Sequence, residues 1–139
     1  MPSIHTGSCL CGAVRFTISG ALRSVVYCHC SQCRKQSGHY YAATNVADAD
    51  LDVAGAENLT WYEASDFARR GFCKTCGSAL FWKHNELAET SVLAGAFDRP
   101  SGLEGGSHIF VADKGDYYEI DDGLPRYSRS TPSIRVADD

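Results

Sequence analysis

The chain has 139 residues and a net charge of −4, and 44% of its residues are hydrophobic. This length favours a single domain over residues 1–139, with a core of about residues 3–127 and a polar tail at 128–139 that we expect to be flexible. The small acidic charge, without long runs of one sign, argues against a nucleic-acid partner. No secretory signal or apolar stretch of spanning length is recognisable, so we expect a cytoplasmic protein without a membrane partner.

Short β-like segments follow one another along the chain. In residues 13–20, Val14, Phe16 and Ile18 alternate with polar residues, the two-residue period of a half-buried strand. Residues 24–30 form a β-branched and aromatic run that leads into a cysteine cluster, and residues 31–38 allow a turn or two of helix. Further strands are predicted at residues 40–46, 58–65, 78–84, 90–97, 108–113 and 116–120. This order predicts an all-β sandwich or barrel.

Aromatic residues are frequent in the predicted strands. We expect four of them to belong to the core rather than to a substrate site, because aromatic side chains dominate β cores; they are Trp61, Tyr62, Phe81 and Trp82. Near the end of the chain, Tyr117, Tyr118 and Glu119 either wall a cleft or pair as a strand.

Seven cysteines in a chain without a recognisable export signal are expected to be reduced and to bind metal. A disulfide framework is disfavoured because seven thiols leave one unpaired. Cys9 and Cys11 are also too close in sequence to be good partners for each other.

Tetrahedral zinc takes four protein ligands in structural sites and commonly three in catalytic sites, so seven thiolates divide naturally into four and three. Cys28, Cys30 and Cys33 are close enough in sequence to meet at one ion. The remaining cysteines are predicted to hold a second ion, and they are Cys9, Cys11, Cys73 and Cys76. In the alternative division, the Cys73–Cys76 pair joins the three-cysteine cluster and leaves the other site poorly satisfied.

The fourth ligand of the three-cysteine site remains open from the sequence. His39 lies six residues after Cys33 and would close the site if the loop folds back, which makes a structural Cys₃His centre the alternative. If the position is free, soft thiolate surroundings favour a further sulfur, which loses its proton to the metal. Arg34 and Lys35 then either offset the accumulated negative charge, bind carboxylates of a thiol compound, or simply lie in a solvated turn.

Four stretches of the sequence resemble a known family. "GSCLCGAVRF", "CHCSQCRKQSG", "RGFCKTCGSALFW" and "HIFVADKGDYYEIDDGLPRY" are similar to successive signatures of the glutathione-dependent formaldehyde-activating enzymes, also called the CENP-V/GFA domain. The resemblance covers about residues 3–127 and includes all seven cysteines. It implies an Mss4-like β-tent of short antiparallel sheets organised by zinc-binding knuckles.

The resemblance also implies a function. It predicts a structural zinc at the four-cysteine set and a second zinc at Cys28, Cys30 and Cys33, where glutathione binds. The implied activity is that of a carbon–sulfur lyase that joins formaldehyde to glutathione, giving S-(hydroxymethyl)glutathione. Ser37 and His29 are candidate proton donors by proximity alone. Because fold likeness does not determine chemistry, a non-catalytic zinc β module that binds a thiol or a protein partner is the alternative.

Overall fold

The computed structural model describes residues 3–130, so the part of the predicted tail at 131–139 lies outside the described residues. One α-helix, α1 (Ser31–Ser37), occurs among them. The helix lies between the third and fourth of ten strands. In chain order the strands are β1 (Ile4–Ser8), β2 (Arg15–Ser19), β3 (Val25–Cys28), β4 (Tyr41–Ala47), β5 (Leu51–Ala54), β6 (Leu59–Glu63), β7 (Ala68–Cys73), β8 (Ala79–His84), β9 (Glu89–Leu93) and β10 (Gly105–Ile109). The prediction of an all-β fold is confirmed.

The strands form two sheets. The smaller sheet has the order β1-β2-β5, and the larger has the order β10-β3-β4-β9-β8-β7-β6. All of the neighbouring strands are antiparallel except β10, which pairs with β3 in parallel. Both edges of β3 are therefore paired within a continuous sheet, and its carboxyl end carries Cys28.

The main core contains side chains from both sheets. The alternation predicted for β2 is confirmed, since Phe16 and Ile18 are buried while Arg15 and Thr17 are exposed. The Phe16 ring packs edge-on against Phe81 of β8, with centroids 6.1 Å apart. Burial of such aliphatic and aromatic side chains stabilises the fold by roughly 1.5–3 kcal/mol each.

The four aromatic residues predicted as core divide between core and surface. Phe81 is fully buried, and Trp61 stacks on it with centroids 6.1 Å apart. The prediction is wrong for Tyr62, which is 62% exposed at the edge strand β6. Trp82 is half-buried and lines a cavity, which is described below.

Two strand predictions near the end of the chain need correction. The strand predicted at 108–113 ends at Ile109, because Phe110 adopts a left-handed conformation with φ 55° and a 3-10 turn follows at Val111–Asp113. Residues 116–120 form no strand. Side-chain contacts hold this segment instead, among them the hydrogen bond from Lys114 Nζ to the carbonyl oxygen of Tyr118 at 2.6 Å.

Candidate metal centres

The first cysteine cluster joins the two sheets. Its sulfur atoms all lie within 4.8 Å of one another, and they belong to the four residues Cys9, Cys11, Cys73 and Cys76. The first two lie in the β1–β2 connection, and the other two lie at the end of β7 and in the turn before β8. The structure therefore contains the predicted four-plus-three division, and the alternative division has no support.

The geometry of this cluster fits a tetrahedral ion. The Sγ–Sγ distance is 3.7 Å between Cys9 and Cys11 and 3.8 Å between Cys11 and Cys73. Four sulfurs at about 2.3 Å from a zinc ion are about 3.8 Å apart. A hydrogen bond with the Ser78 hydroxyl lowers the pKa of Cys76 to about 5, which favours the thiolate that a metal needs. This donor set is consistent with structural zinc.

The glycines after each cysteine pair allow the tight turns. Gly12 and Gly77 both have φ 81°, a left-handed conformation that other residues adopt at a cost. The Gly77 amide donates to the Cys73 carbonyl at 2.8 Å and closes the turn. The left-handed backbone, rather than crowding around the side chain, is what favours glycine at position 77.

The second cluster contains Cys28, Cys30 and Cys33, whose sulfur atoms also lie within 4.8 Å of one another. Cys28 ends β3, Cys30 precedes α1 as its N-cap, and Cys33 is buried in the first turn of the helix. The Cys33 amide donates to the Cys30 sulfur at 3.3 Å, so the start of the helix fixes the spacing of these two ligands. The short helix predicted here is confirmed.

The thiols of this cluster affect one another strongly. Hydrogen bonds with Cys28 and Cys33 lower the pKa of Cys30, whereas hydrogen bonds with Cys30 and Cys33, together with burial, raise the pKa of Cys28. Three thiolates at such short range repel one another unless a cation neutralises them. The cluster therefore has the chemistry of a metal site, consistent with zinc.

Within residues 3–130, the second cluster has no fourth His, Cys, Asp or Glu donor at the same range. His39, the candidate for closing the site, is exposed, and its Nδ1 lies 3.1 Å from the Tyr117 hydroxyl. The Cys₃His alternative therefore has no support in the described part of the chain.

A cavity of about 310 Å³ opens beside the three cysteines. Its wall includes the Trp82 and Tyr41 rings and charged groups of both signs. The cations are Arg23, Arg70 and Arg129, and the acids are Glu89 and Asp113. Pockets of this size, largely apolar with a few polar groups, are typical of small-molecule sites.

Arg70 of β7 is the charged residue in closest contact with the cysteines. It is only 3% exposed, and its Nη2 donates to the Cys33 sulfur at 3.4 Å. Burial lowers its pKa, but its acidic neighbours, foremost Cys33, together raise it more, so the net shift of the pKa is upward. Sequence reasoning missed this residue because it lies 37 positions after Cys33.

His29 lies between Cys28 and Cys30 in the chain and is fully buried. Its Nδ1 lies 2.5 Å from the Tyr118 hydroxyl oxygen, and its Nε2 lies 2.8 Å from His108 Nδ1, both at hydrogen-bond distance. His108 in turn donates to the Asp122 carboxylate at 2.8 Å. Burial, and to a smaller extent His108, lowers the pKa of His29 to about 4, so this imidazole is neutral near pH 7.

The remaining predicted site residues lie on α1, and none of them is among the residues that line the cavity. The Ser37 hydroxyl donates to the Cys33 carbonyl at 2.7 Å and so stabilises the end of the helix. Arg34 is half-buried, with no hydrogen-bond partner for its Nε among the described residues, and Lys35 is exposed. His29 is likewise absent from the cavity lining.

Among the described residues, no helix is long and apolar enough to cross a membrane.

Comparison with known proteins supplies further findings. A family model described as "Glutathione-dependent formaldehyde-activating enzyme" matches residues 4–113. A protein from Halomonas elongata whose name places it in that family is 38% identical, over 83% of this chain and 80% of the relative. A Schizosaccharomyces pombe protein named as an uncharacterized lyase is 28% identical, over 84% of this chain and 85% of the relative. A crystal structure of a Rhodobacter sphaeroides protein superposes with a TM-score of 0.58 and 26% identity, covering 88% of this chain and 98% of that one.

Proposed function

The chain belongs to the glutathione-dependent formaldehyde-activating enzyme family, and on this premise we propose that it makes and breaks the carbon–sulfur bond between glutathione and formaldehyde. In the forming direction, the thiol sulfur adds to the carbonyl carbon. The proton lost by the thiol ends on the former carbonyl oxygen, so the product is S-(hydroxymethyl)glutathione. The reverse reaction is that of a carbon–sulfur lyase.

The cysteine division is the observation that carries this proposal. Four thiols form a complete ligand set between the sheets, whereas Cys28, Cys30 and Cys33 lie at a cavity without a fourth donor of the usual kinds among the described residues. These three residues would hold the second zinc, which supplies a soft cation that lowers the pKa of a bound thiol. A sulfur ligand suits such a site better than water does.

The cavity wall provides groups suited to the rest of a peptide thiol. Glutathione carries two carboxylates and one ammonium group. Arg129 offers a guanidinium group for a carboxylate, and Arg23 offers its Nη1, since its Nε and Nη2 already donate to the carbonyls of Ser24 and Ala43. Glu89 and Asp113 offer acceptors for an ammonium group. The apolar side chains of Trp82 and Ile109 keep the sulfur away from bulk water, which strengthens these electrostatic interactions.

Nuclear magnetic resonance exchange spectroscopy tests the proposal at equilibrium. We expect the zinc-loaded chain to accelerate exchange between free glutathione and its adduct beyond the rate in protein-free buffer. The Cys30→Ala variant is expected to lose the acceleration. Arg69→Met is the control, because Arg69 does not line the cavity and its guanidinium lies over the Trp61 ring instead. Exchange no faster than in protein-free buffer contradicts the proposal.

A further inference from the structure

Arg70 is a buried cation without a carboxylate partner in the described residues. Its Nη1 and Nη2 contact the amide oxygens of Gln36 and Gln32 at 3.4 and 3.5 Å, and its guanidinium carbon lies 4.9 Å from the centre of the Tyr41 ring. These groups are neutral. Among these contacts, the Cys33 sulfur, at 3.4 Å from Nη2, is the group that becomes anionic when it binds a metal ion.

The charge at the cysteines explains why such a cation is buried there. Three thiolates and one divalent ion carry a net single negative charge, and a further thiolate raises it to two. Burying uncompensated charge is costly, whereas an opposite charge within hydrogen-bond distance reduces that cost. Arg34 and Lys35, the cations that follow the cluster in sequence, do not line the cavity, whereas Arg70 lines it. Its Nε is also buried without a partner among the described residues and remains an available donor.

We propose that Arg70 is the fixed counter-charge of the Cys28–Cys30–Cys33 site, where it strengthens metal binding and favours an anionic sulfur ligand over a neutral one. The part of this proposal that concerns the sulfur ligand rests on the function proposed above, whereas the part that concerns metal binding does not. Arg70 acts through the cysteines, so it is a positioning residue rather than a catalytic one.

The competing explanation is that Arg70 serves only packing, since its stem and guanidinium cover Tyr41. Two substitutions separate the two explanations. Arg70→Met keeps most of the apolar stem and removes the charge, whereas Arg70→Lys keeps the charge and loses the planar fork. Arg69→Met is the matched control, because Arg69 is the adjacent cation on β7 and contacts Trp61 and Asn85 instead of the cysteines.

Cobalt(II) is the probe, because its thiolate complexes absorb visible and near-ultraviolet light. The full chain is loaded with cobalt, and the affinity of each cluster is measured by competition with a chelator. We expect Arg70→Met to weaken binding at the three-cysteine site by about 10–100-fold, the usual effect of losing a hydrogen-bond partner of a metal ligand. Arg70→Lys should lose less cobalt affinity at this site than Arg70→Met does, and the cobalt affinity of Arg69→Met should equal that of the wild type. The spectrum of the four-cysteine site provides an internal check that each variant is folded.

A second titration uses the cobalt-saturated proteins. 2-Mercaptoethanol binds as a thiolate and releases its proton to the buffer, whereas imidazole binds as a neutral ligand. Removal of a counter-charge should weaken thiol binding about tenfold or more and leave imidazole binding nearly unchanged. A packing defect should weaken both ligands alike.

The outcomes decide between the explanations. Equal losses in Arg70→Met and Arg70→Lys, or equal losses of thiol and imidazole binding, overturn the proposal. A wild-type protein that binds no thiol contradicts the proposed function. In that case the role of Arg70 as a counter-charge is upheld if Arg70→Met alone loses cobalt at the three-cysteine site, and it is overturned if Arg70→Met does not lose it.

Discussion

Removing one ligand from each cysteine cluster should have very different effects on stability. We compare Cys73→Ala, in the four-cysteine cluster, with Cys30→Ala, in the three-cysteine cluster. Cys73 is fully buried, and its sulfur lies 3.8 Å from that of Cys11, 62 positions earlier in the chain. Cys28, Cys30 and Cys33 all lie within six consecutive residues. An ion that closes a long loop between two sheets constrains the unfolded chain much more than an ion that closes one short turn.

The magnitude follows from this difference. A structural zinc site contributes on the order of 10–16 kcal/mol of apparent binding free energy, which is comparable to the whole stability of a domain. Loss of such a site belongs to the changes that cost about 4–5 kcal/mol or more. For a chain of this size, roughly 3–4 °C of melting temperature corresponds to 1 kcal/mol. We therefore expect Cys73→Ala to lower the melting temperature by about 15 °C, and Cys30→Ala by about 5 °C.

Circular dichroism during heating gives the melting temperature, and elemental analysis gives the zinc content per chain. Each variant should retain the ion of its intact cluster. Similar melting temperatures for the two variants would refute the division into a structural and a functional site. A Cys73→Ala protein as stable as the wild type would refute the role assigned to the four-cysteine cluster.

Three further predictions concern single positions. Gly55 and Gly123 share φ 79°, but a Cβ at Gly55 would lie 2.0 Å from a backbone oxygen of the β1–β2 connection, whereas Gly123 has open space around it. Gly55→Ala should therefore lower the free energy of unfolding in urea by about 2–4 kcal/mol, and Gly123→Ala should lower it by about 1 kcal/mol. Equal losses in the two variants would show that the close contact at Gly55 does not affect stability. Burial alone would raise the pKa of Asp48, but hydrogen bonds, foremost that from Lys83 at 2.7 Å, lower it below its usual 3.8. The contribution of Asp48 to stability is thus complete above about pH 5 and declines as pH falls through the lowered pKa. Asp48→Asn should therefore cost about 0.5–1 kcal/mol at pH 7, given the partial exposure of Asp48, and the difference from the wild type should shrink in acid rather than grow. Trp82→Ala should weaken glutathione binding about tenfold in isothermal titration by removing one apolar wall of the cavity, and an unchanged dissociation constant would exclude this tryptophan from the site.

The cysteine clusters were predictable from the sequence because their members are close together or paired. Three cysteines within six residues can meet at one ion with little help from the rest of the fold. The other two cysteine pairs can then complete a four-ligand site only with one another. The alternation of β2 was equally clear, since its apolar residues follow the period of a strand. These features depend on local spacing, which the sequence displays directly.

Arg70 and the hydrogen-bond chain at His29 were not predictable, because they depend on strand pairing over long separations. The adjacent residues Arg69 and Arg70 look alike in sequence, yet they point to opposite faces of β7, and only Arg70 reaches Cys33. His29 lies 79 residues before His108, and their contact arises from the parallel pairing of β3 with β10. Nothing in the local pattern indicates that pairing.

The segment at 116–120 shows the opposite error, in which a β-like composition does not produce a strand. Tyr118 contacts the side chain of His29, and the Tyr117 hydroxyl donates to the Gly38 carbonyl at 3.3 Å. These side-chain contacts hold the segment against β3 and α1 without a ladder of backbone hydrogen bonds. The aromatic content of the segment therefore did not predict its backbone conformation, because side-chain contacts rather than strand pairing hold it.

The central claim is that Cys28, Cys30 and Cys33 present a metal ion to an external thiol. X-ray absorption at the zinc edge measures this directly in the doubly loaded protein, before and after addition of glutathione. Four ligands at one site and three at the other give an average of about 3.5 sulfurs per zinc, and a bound thiolate raises the average to about 4. We predict this increase in the wild type and its absence in Cys30→Ala. An unchanged sulfur count in the wild type at saturating glutathione would contradict the claim.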